Sequence, residues 1–452
     1  MRRLFGTDGV RGIANDDLTC ELSYRIGAAT AAILSSHHRY RPIVLVGGDT
    51  RASTDMLAAS VAAGLCAVGA DVIMLGVVPT PAVAYLVGKF KARAGIMISA
   101  SHNSFEFNGI KIFNGDGFKL PDVLEEQIES MVLDNVPALP MAAPEAVGRI
   151  TYEKDPLSDY LAHLRSTTPC SLEGIRVAVD CSNGSASVCA RELLESLGAS
   201  VEMLHAEPDG ENINAGCGST HMEDLRAYVG THPDLDAGLA FDGDADRFLA
   251  VDENGNEVDG DVIMAILSAD MKERGKLAGN ALVGTVMSNF GLLRFCEANG
   301  IRFVAAKVGD RYVLEQIRME GYNFGGEQSG HLIFYDFSTT GDGQLTALQL
   351  LSLMKRTGKK LSELASVMKR YPQKTVNIRV SPEAKVVFYT DEEVRAIMAA
   401  ADAEIGGNGR LLVRPSGTEP LLRVMVESED PAFVERLATE TAGKIEAALK
   451  KY

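Results

Sequence analysis

The 452-residue sequence has no hydrophobic run of about 18 residues or more, which is the length that a membrane-spanning helix needs. Its first residues, MRRLFGTDG, turn glycine-rich and acidic after the two arginines, without the apolar segment of a secretory signal. The sequence therefore predicts neither a signal peptide nor a membrane span, and it favours a cytoplasmic location.

Paired cysteines are also missing. The seven cysteines are an odd number and include no CxxC pair, as expected for a protein of a reducing compartment. The spacing of Cys170, Cys181 and Cys189 fits no zinc site, so we expect small core or loop residues at these positions.

Three common catalytic motifs are absent as well. There is no Walker A loop, no GxGxxG loop after a strand and no GxSxG elbow. These absences remove the main support for nucleotide-driven kinases, for Rossmann oxidoreductases and for esterases.

Positive charge is in the minority, with 44 Lys and Arg against 61 Asp and Glu and a formal net charge of −17. Sequence-independent nucleic-acid binding needs a basic surface, so this balance argues against it. A small anionic substrate is still compatible, because a local basic pocket can coexist with an acidic exterior.

The sequence does contain one α/β unit in three copies. Apolar strands begin the copies at 43–46, 175–180 and 281–285, and each copy continues through helical stretches to a second and a third strand. This alternation predicts three duplicated α/β domains with mixed, largely parallel sheets around a central cleft. From Arg370 the pattern changes to that of a smaller α+β domain. The predicted domains are 1–150, 151–252, 253–369 and 370–452.

Unusual polar chemistry follows the third strand of every copy. The three sequences are Ser101-His102-Asn103, Asp242-Gly243-Asp244-Ala245-Asp246-Arg247 and Glu327-Gln328-Ser329-Gly330-His331. Ligands of open α/β sheets bind at the carboxyl ends of strands. Three equivalent strand ends that face one cleft are therefore expected to form one site.

Asp242, Asp244 and Asp246 alternate directly after an apolar strand, a pattern that indicates a site for a hard cation such as Mg²⁺. A calcium loop is the first alternative, since Glu253 is twelfth from Asp242. That loop needs glycine at its sixth position, where this chain has Arg247, and helices on either side. We reject it and prefer the metal site to a solvated acidic turn.

Ser101 alone could simply be a turn former or a helix cap. The neighbouring aspartates favour a larger role, because a carboxylate-bound cation would stabilise a phosphorylated serine. Lys111, a short loop away, is a candidate to exchange a proton with an attacking hydroxyl, although most lysines are simply solvated.

The stretch Arg414-Pro415-Ser416-Gly417-Thr418-Glu419-Pro420 has the composition of a phosphate-binding loop. It combines a guanidinium, two hydroxyls and a glycine that lets backbone N–H groups approach an anion. Arg423 follows on the next strand. A Pro/Gly surface turn explains the stretch about equally well.

Together these motifs resemble the α-D-phosphohexomutase superfamily along essentially the whole chain and in the family's order. They are the ISASHN, DGDADR, GEQSGH and RPSGTEP loops. The start GTDGVRG, the stretch TVMSNFGL and the GEQSGH form look most like the bacterial branch that acts on glucosamine phosphates. Ser104 departs from the proline that the family commonly has after SHN, which removes a fixed φ but no catalytic group.

The resemblance implies a role for each matching residue. Ser101 is the phosphorylated nucleophile, and its phosphate holds one Mg²⁺ together with the three aspartates. Lys111, His331 and Arg11 belong to the catalytic group. Substrate binding falls to Glu327 and Ser329, which read sugar hydroxyls, and to Arg247, which lies near the phosphoserine as Arg11 does. The phosphate that is not transferred is held by Arg414, Ser416, Gly417, Thr418 and Arg423.

The implied reaction interconverts glucosamine-6-phosphate and glucosamine-1-phosphate through a sugar bisphosphate, and it supplies precursors of UDP-N-acetylglucosamine and the cell wall. A glucose or glucosamine 1,6-bisphosphate is the implied activator, and a homodimer is compatible with the sequence. Three alternatives stay open here: a mutase of mannose or glucose phosphates, a Mg²⁺-dependent sugar phosphatase and a non-catalytic sugar-phosphate sensor. No nucleic-acid or membrane partner is expected.

Overall fold

The computed structural model describes residues 3–6, 8–35, 41–416 and 419–452. The chain divides into two compact units, Met1–Met287 with Gly300–Val367 and Ser288–Asn299 with Met368–Tyr452. Among the described helices, none is both long and apolar enough to cross a bilayer.

The first sheet has six strands in the order β1-β5-β4-β2-β3-β6. Its strands β2, β3, β4 and β6 run parallel, and β5 returns antiparallel to β4. The elements are β1 (Val10–Ile13), α1 (Cys20–Ser35), β2 (Ile43–Gly48), α2 (Thr54–Ala67), β3 (Asp71–Val77), α3 (Thr80–Lys89), β4 (Ala94–Ile98), β5 (Phe107–Asn114), α4 (Asp122–Glu129) and β6 (Ile150–Tyr152).

The second sheet has five strands in the order β11-β10-β9-β7-β8. A turn at Asp252–Gly255 joins β10 to β11 within this sheet. The elements are α5 (Ser158–Ser166), β7 (Arg176–Asp180), α6 (Ala190–Ser196), β8 (Ser200–Leu204), α7 (Glu223–Thr231), β9 (Ala237–Phe241), β10 (Phe248–Asp252) and β11 (Glu257–Val258).

The third sheet has four strands in the order β13-β12-β14-β15. Helix α9 of this stretch belongs to the second compact unit, and the strands belong to the first. The elements are α8 (Gly260–Glu273), β12 (Ala281–Thr285), α9 (Phe290–Ala298), β13 (Arg302–Ala306), α10 (Asp310–Glu320), β14 (Phe324–Gly326), β15 (Leu332–Phe334), α11 (Gly343–Thr357) and α12 (Leu361–Ala365).

The second compact unit contains an antiparallel sheet in the order β16-β18-β17, so the predicted change to an α+β domain is confirmed. Its core joins the sheet to flanking helices through buried residues such as Phe388, Val424 and Ile445. The elements are β16 (Gln373–Arg379), α13 (Pro382–Val387), α14 (Glu392–Ile405), β17 (Gly409–Pro415), β18 (Leu421–Ser428) and α15 (Pro431–Leu449).

The three α/β sheets repeat one topology, which confirms the predicted duplication. In each sheet the first strand of the copy lies between the second and the third. The other edge of the third strand pairs with an antiparallel strand, which is β5, β10 or β15. β4 and β9 are buried along their whole length. Gly95 and Gly238 permit this, because a Cβ there would lie 2.6 and 2.9 Å from valine side chains of α3 and α7. The polar loops are therefore hairpin connections that strands hold at both ends.

Candidate functional site

The hairpin loops of the first and second sheets meet at Ser101 and Asp242. The Oγ of Ser101, in the loop after β4, lies 2.6 Å from Oδ2 of Asp242, in the loop after β9. Both residues are almost fully buried. A hydroxyl 141 residues away in sequence is thus in hydrogen-bonding contact with the acidic loop.

Asp242, Asp244 and Asp246 each offer a carboxylate oxygen, and these oxygens lie within 4.8 Å of one another. All three residues are buried, and among the described residues the Oδ1 atoms of Asp244 and Asp246 have no hydrogen-bond partner. Clustered, buried carboxylate oxygens without partners fit a hard divalent cation. The acidic triad could therefore bind a metal such as Mg²⁺.

The same crowding perturbs the carboxyl groups. Burial, with repulsion from Asp246 and Asp244, raises the pKa of Asp242 well above its ordinary value. Burial also acts to raise the pKa of Asp244, but the attraction of Lys111 outweighs it and lowers that pKa to about 2. The unfavourable repulsion is therefore concentrated on Asp242, the carboxyl group that Ser101 contacts.

Lys111, on β5, is a buried cation beside the triad. Its Nζ lies 2.7 Å from Oδ2 of Asp244 and 3.3 Å from Oδ2 of Asp246, with Asp8 Oδ2 at 3.0 Å. Burial disfavours the ammonium, but these carboxylates outweigh burial and raise the pKa of Lys111 well above its usual range. Lys111 is therefore held as an ammonium.

Sequence reasoning assigned no role to Asp8, Lys119 and Asp310, which extend this charge network. Lys119 bridges Asp8 and Asp310 by two short ion pairs. Burial acts to raise the pKa of Asp8, but Lys111, Lys119 and Arg11 bring it well below its usual value. The available signal was Asp8 itself, three residues before Arg11 in the GTDGVRG stretch.

A cavity of about 620 Å³ opens beside the triad and is lined by the predicted residues of the first compact unit that have not yet been described. The predicted residues that line it are Arg11, Asp246, Arg247, Glu327, Ser329 and His331. The guanidinium of Arg11 pairs with Asp8, and Nε of Arg247 lies 3.9 Å from Asp242 Oδ2. Cationic side chains thus border an opening of the size that small-molecule sites have.

His331 is nearly buried at this cavity. Its Nε2 lies 3.5 Å from Asp310 Oδ2 and 3.9 Å from Asp246 Oδ2, and neither ring nitrogen has a hydrogen-bond partner among the described residues. A Cβ on Gly341 would lie 2.5 Å from the ring. Only glycine therefore leaves room for the imidazole, whose nitrogens are free to bond with a ligand.

His102 is a further residue of the site, for which the sequence suggested no role. Its Nδ1 lies 3.4 Å from Ser101 Oγ, and it lines the cavity. Burial, with the nearby Arg247 and Arg11, lowers the pKa of His102 to about 4. The ring is therefore neutral near pH 7.

Glu327 and Gln328 adopt different orientations in the third hairpin loop. Glu327 lines the cavity and accepts a hydrogen bond from the Gly309 amide at 3.0 Å. Gln328 donates to Asp259 Oδ2 at 3.2 Å, beside the start of α8, and is not among the cavity-lining residues. The Gln328 side chain thus acts within the protein rather than at the opening.

In the second compact unit, Arg414 and Arg423 face each other across β17 and β18. Burial, with repulsion from Arg423, lowers the pKa of Arg414, so an anion between the two guanidiniums would relieve an existing cost. Ser416 is buried, and its Oγ accepts a hydrogen bond from the Glu419 amide at 3.2 Å. The predicted ligands Gly417 and Thr418 lie outside the described residues.

Lys385 is an additional cation near this loop. Its Nζ, from α13, donates to the Ser416 carbonyl at 2.6 Å and to the Glu419 carbonyl at 2.8 Å. Sequence reasoning missed it because nothing in its local sequence indicates a contact 31 residues away.

Comparisons with known proteins cover the full length of the chain. Four models of phosphoglucomutase/phosphomannomutase domains match: alpha/beta/alpha domain I at 2–137, domain II at 158–255, domain III at 259–371 and the C-terminal domain at 376–444. The phosphoglucosamine mutase of Acetivibrio thermocellus is 53% identical over 449 residues, covering 99% of this chain and 100% of the relative. That of Clostridium tetani is 49% identical over 450 residues, covering 100% of both chains.

Solved structures share the fold at lower identity. A phosphoglucomutase/phosphomannomutase family protein from Burkholderia thailandensis superposes with a TM-score of 0.82 at 21% identity, over 98% of this chain and 97% of that one. The N-acetylphosphoglucosamine mutase of Aspergillus fumigatus, solved with GlcNAc-6P and magnesium, superposes with a TM-score of 0.70 at 16% identity, over 99% and 96% of the two chains.

Proposed function

The chain belongs to the phosphoglucomutase/phosphomannomutase family, and on that basis we propose that it interconverts glucosamine-6-phosphate and glucosamine-1-phosphate. Relatives about half identical over the full length are named phosphoglucosamine mutase, which supports the amino sugar as substrate. The observation on which the mechanism depends is the 2.6 Å contact between Ser101 Oγ and Asp242.

In the proposed reaction Ser101 carries a phosphoryl group. A sugar hydroxyl attacks the phosphorus, the bond to Ser101 Oγ breaks and a sugar bisphosphate forms. The bisphosphate turns within the cavity, and its other phosphoryl group returns to Ser101 as the bond to the sugar oxygen breaks. Such transfers depend mainly on positioning and charge stabilisation.

One magnesium ion per chain, held by Asp242, Asp244 and Asp246 with the Ser101 phosphate, would offset the negative charge of the transferring group. Lys111 contributes an ammonium at the same place. A close pair of unit charges is worth about 4 kcal/mol at an effective dielectric of 20. The attraction between the Lys111 ammonium and the transferring phosphoryl group is therefore a large stabilising contribution.

The cavity-lining side chains have the remaining proposed roles. Of the acid–base pair, His331 accepts the proton of the sugar hydroxyl and the Lys111 ammonium is the proton donor, and Arg11 contacts the phosphoryl group beside Ser101. Glu327 and Ser329 accept from and donate to sugar hydroxyls. Arg247 pairs with the phosphorylated end of the sugar, as its place beside the triad suits.

Arg414, Ser416 and Arg423, with Gly417 and Thr418, are proposed to hold the phosphate that is not transferred. We expect Arg414→Ala to raise KM for glucosamine-6-phosphate by roughly 10- to 100-fold, since a hydrogen bond to a charged group is worth about 1.5–3 kcal/mol. The value of kcat should stay within about threefold, because no group at Ser101 changes. Steady-state kinetics measure both, with Arg379→Ala at the end of β16 as the matched control. An unchanged KM would remove this loop from the binding site.

Coupled assays with glucosamine, glucose and mannose 6-phosphates test the proposed substrate. We expect kcat/KM to be at least about tenfold higher for the amino sugar. Release of inorganic phosphate is followed in parallel, and release without isomerised product would instead indicate a phosphatase. Equal or better turnover of a neutral hexose phosphate would contradict the amino-sugar assignment.

Priming is tested separately on the protein. We propose that a sugar 1,6-bisphosphate phosphorylates Ser101, so incubation with glucose-1,6-bisphosphate should add the mass of one phosphoryl group, mapped to the peptide that contains Ser101. The homodimer stays a prediction that light scattering tests.

A further inference from the structure

Arg51 lies in the loop after β2 and is not among the residues that line the cavity. Its side chain has no solvent exposure. Every N–H group of the guanidinium has an acceptor, which uses its full donor capacity. Nε donates to Asp49 Oδ2 at 2.9 Å, Nη2 donates to the carbonyls of Ser101 and Asn103 at 2.9 and 2.8 Å, and Nη1 donates to the carbonyl of Phe107 at 3.0 Å and to that of Ser104.

Asp49 is linked to the backbone N–H of Ser101, whereas Arg51 bonds the carbonyl of that residue. Its Oδ2 accepts from Ser99 Oγ at 2.6 Å, and Ser99 Oγ in turn accepts from the Ser101 amide at 2.9 Å. The N–H of Ser101 is therefore linked to Asp49 through one hydroxyl, and its C=O is bonded directly to Arg51. One buried ion pair constrains both polar backbone groups of the residue.

This constraint acts on a strained residue. Ser101 has φ of +55°, in the left-handed region that a serine seldom adopts and that persists only where the surroundings enforce it. The second sheet contributes as well, because Asn214 Nδ2 donates to the Ser101 carbonyl at 2.9 Å. A Cβ on Gly243 would lie 2.6 Å from that carbonyl oxygen, so the acidic loop approaches the same atom.

We infer that Arg51 and Asp49, together with Asn214, are positioning residues that direct Ser101 Oγ toward the acidic triad without touching substrate, and that each of these contacts is needed for full turnover. The inference rests on the proposed function, in which Ser101 accepts and donates the phosphoryl group. Lysine cannot replace Arg51 in this role, because an ammonium lacks the planar fork that reaches several carbonyls at once. A residue that only supplied charge or packing would tolerate the lysine.

Kinetics of Arg51→Lys and Arg51→Met test the inference. We expect kcat to fall about 100-fold in both, the cost of roughly 1 Å of misplacement, while KM stays within about threefold. Amide hydrogen exchange of the peptide covering 99–107 should accelerate with no substrate present. Arg41→Met is the matched control, since Arg41 also donates to backbone carbonyls, those of Glu145 and Val147, and should leave kcat unchanged.

Asn214→Gly provides a second measurement should the Arg51 variants not fold. Asn214 has φ of +57°, which glycine adopts freely, so the change removes the amide donor without straining the backbone. We expect kcat to fall about tenfold with KM unchanged. Wild-type-like kcat in folded Arg51→Lys or in Asn214→Gly overturns the inference, as does unchanged exchange at 99–107. Failure of the proposed function would instead appear as a wild-type protein that does not isomerise its substrate.

Discussion

Ser101→Ala is expected to abolish isomerisation, lowering turnover by at least about four orders of magnitude, as loss of a covalent nucleophile does elsewhere. The change deletes the one atom that stores the phosphoryl group. It leaves Arg11, Glu327 and His331 in place around the cavity, so binding of glucosamine-6-phosphate should stay within about threefold of wild type. The coupled assay measures turnover, and titration calorimetry measures binding.

Ser104→Ala is the matched control for that experiment. It removes a hydroxyl from an exposed position three residues further along the same loop, so turnover should be retained. Intact-mass analysis after incubation with glucose-1,6-bisphosphate should find the added phosphoryl group on wild type and on Ser104→Ala, and none on Ser101→Ala. Retained turnover in Ser101→Ala, or a phosphoryl group at another residue, would refute the assignment.

The fold was largely predictable because the strands that organise it are strongly apolar. The first strands of the three copies begin within a residue of the positions that the sequence indicated. The antiparallel strands β5, β10 and β15 were not predicted. Each of them pairs with the strand that precedes it in the chain. The loop between the two strands was interpreted from its polar residues as a functional loop, and a hairpin was not expected there. The domain boundaries stay predictions.

Helix α15 shows that local signals were also overlooked. Asp430 caps the helix by accepting from the Ala432 amide at 2.9 Å, and Pro431 occupies its first turn. These are the residues that favour a helix start. The predicted elements end at the strand that contains Arg423, so this helix was not predicted.

Some residues of the site could be predicted from local sequence, and others depend on contacts between distant parts of the chain. Strand ends identified Ser101, the triad and the third hairpin loop, because the repeat predicts that equivalent ends lie together. The ion pairs among Asp8, Lys119 and Asp310 join positions up to 191 residues apart. One sequence contains no signal for such pairings, which depend on how the sheets pack.

The loop at position 104 is held by contacts that do not depend on whether that residue is serine or proline. Proline would fix φ at this position, and serine does not. The Ser104 carbonyl instead accepts a hydrogen bond from Arg51, which also holds Asn103 and Ser101. Arg51 therefore holds the loop through backbone carbonyls, whichever side chain position 104 carries.

Asp242→Asn is the second variant with a large expected effect, and its effects on activity and stability should have opposite signs. We expect kcat to fall about 10³-fold, since a charged group at the transferring phosphoryl is lost, and metal affinity to fall at least about 10-fold. The same change removes one of three buried carboxylates that repel one another within 4.8 Å. The melting temperature of the chelator-treated protein should therefore rise by at least about 2 °C.

Thermal melts with chelator and with Mg²⁺, together with Mn²⁺ titrations, separate the two effects without an activity assay. Wild type should gain stability on adding Mg²⁺, because an ion that binds only the folded state stabilises it. Asp242→Asn should gain little, so the order of the two melting temperatures should reverse between chelator and metal. Asp234→Asn, an exposed carboxylate paired with Arg176 in the same domain, makes the same charge change and should follow wild type. A variant that keeps wild-type metal affinity, or that melts lower than wild type in chelator, would contradict the view that these aspartates tolerate mutual repulsion in order to bind a cation beside Ser101.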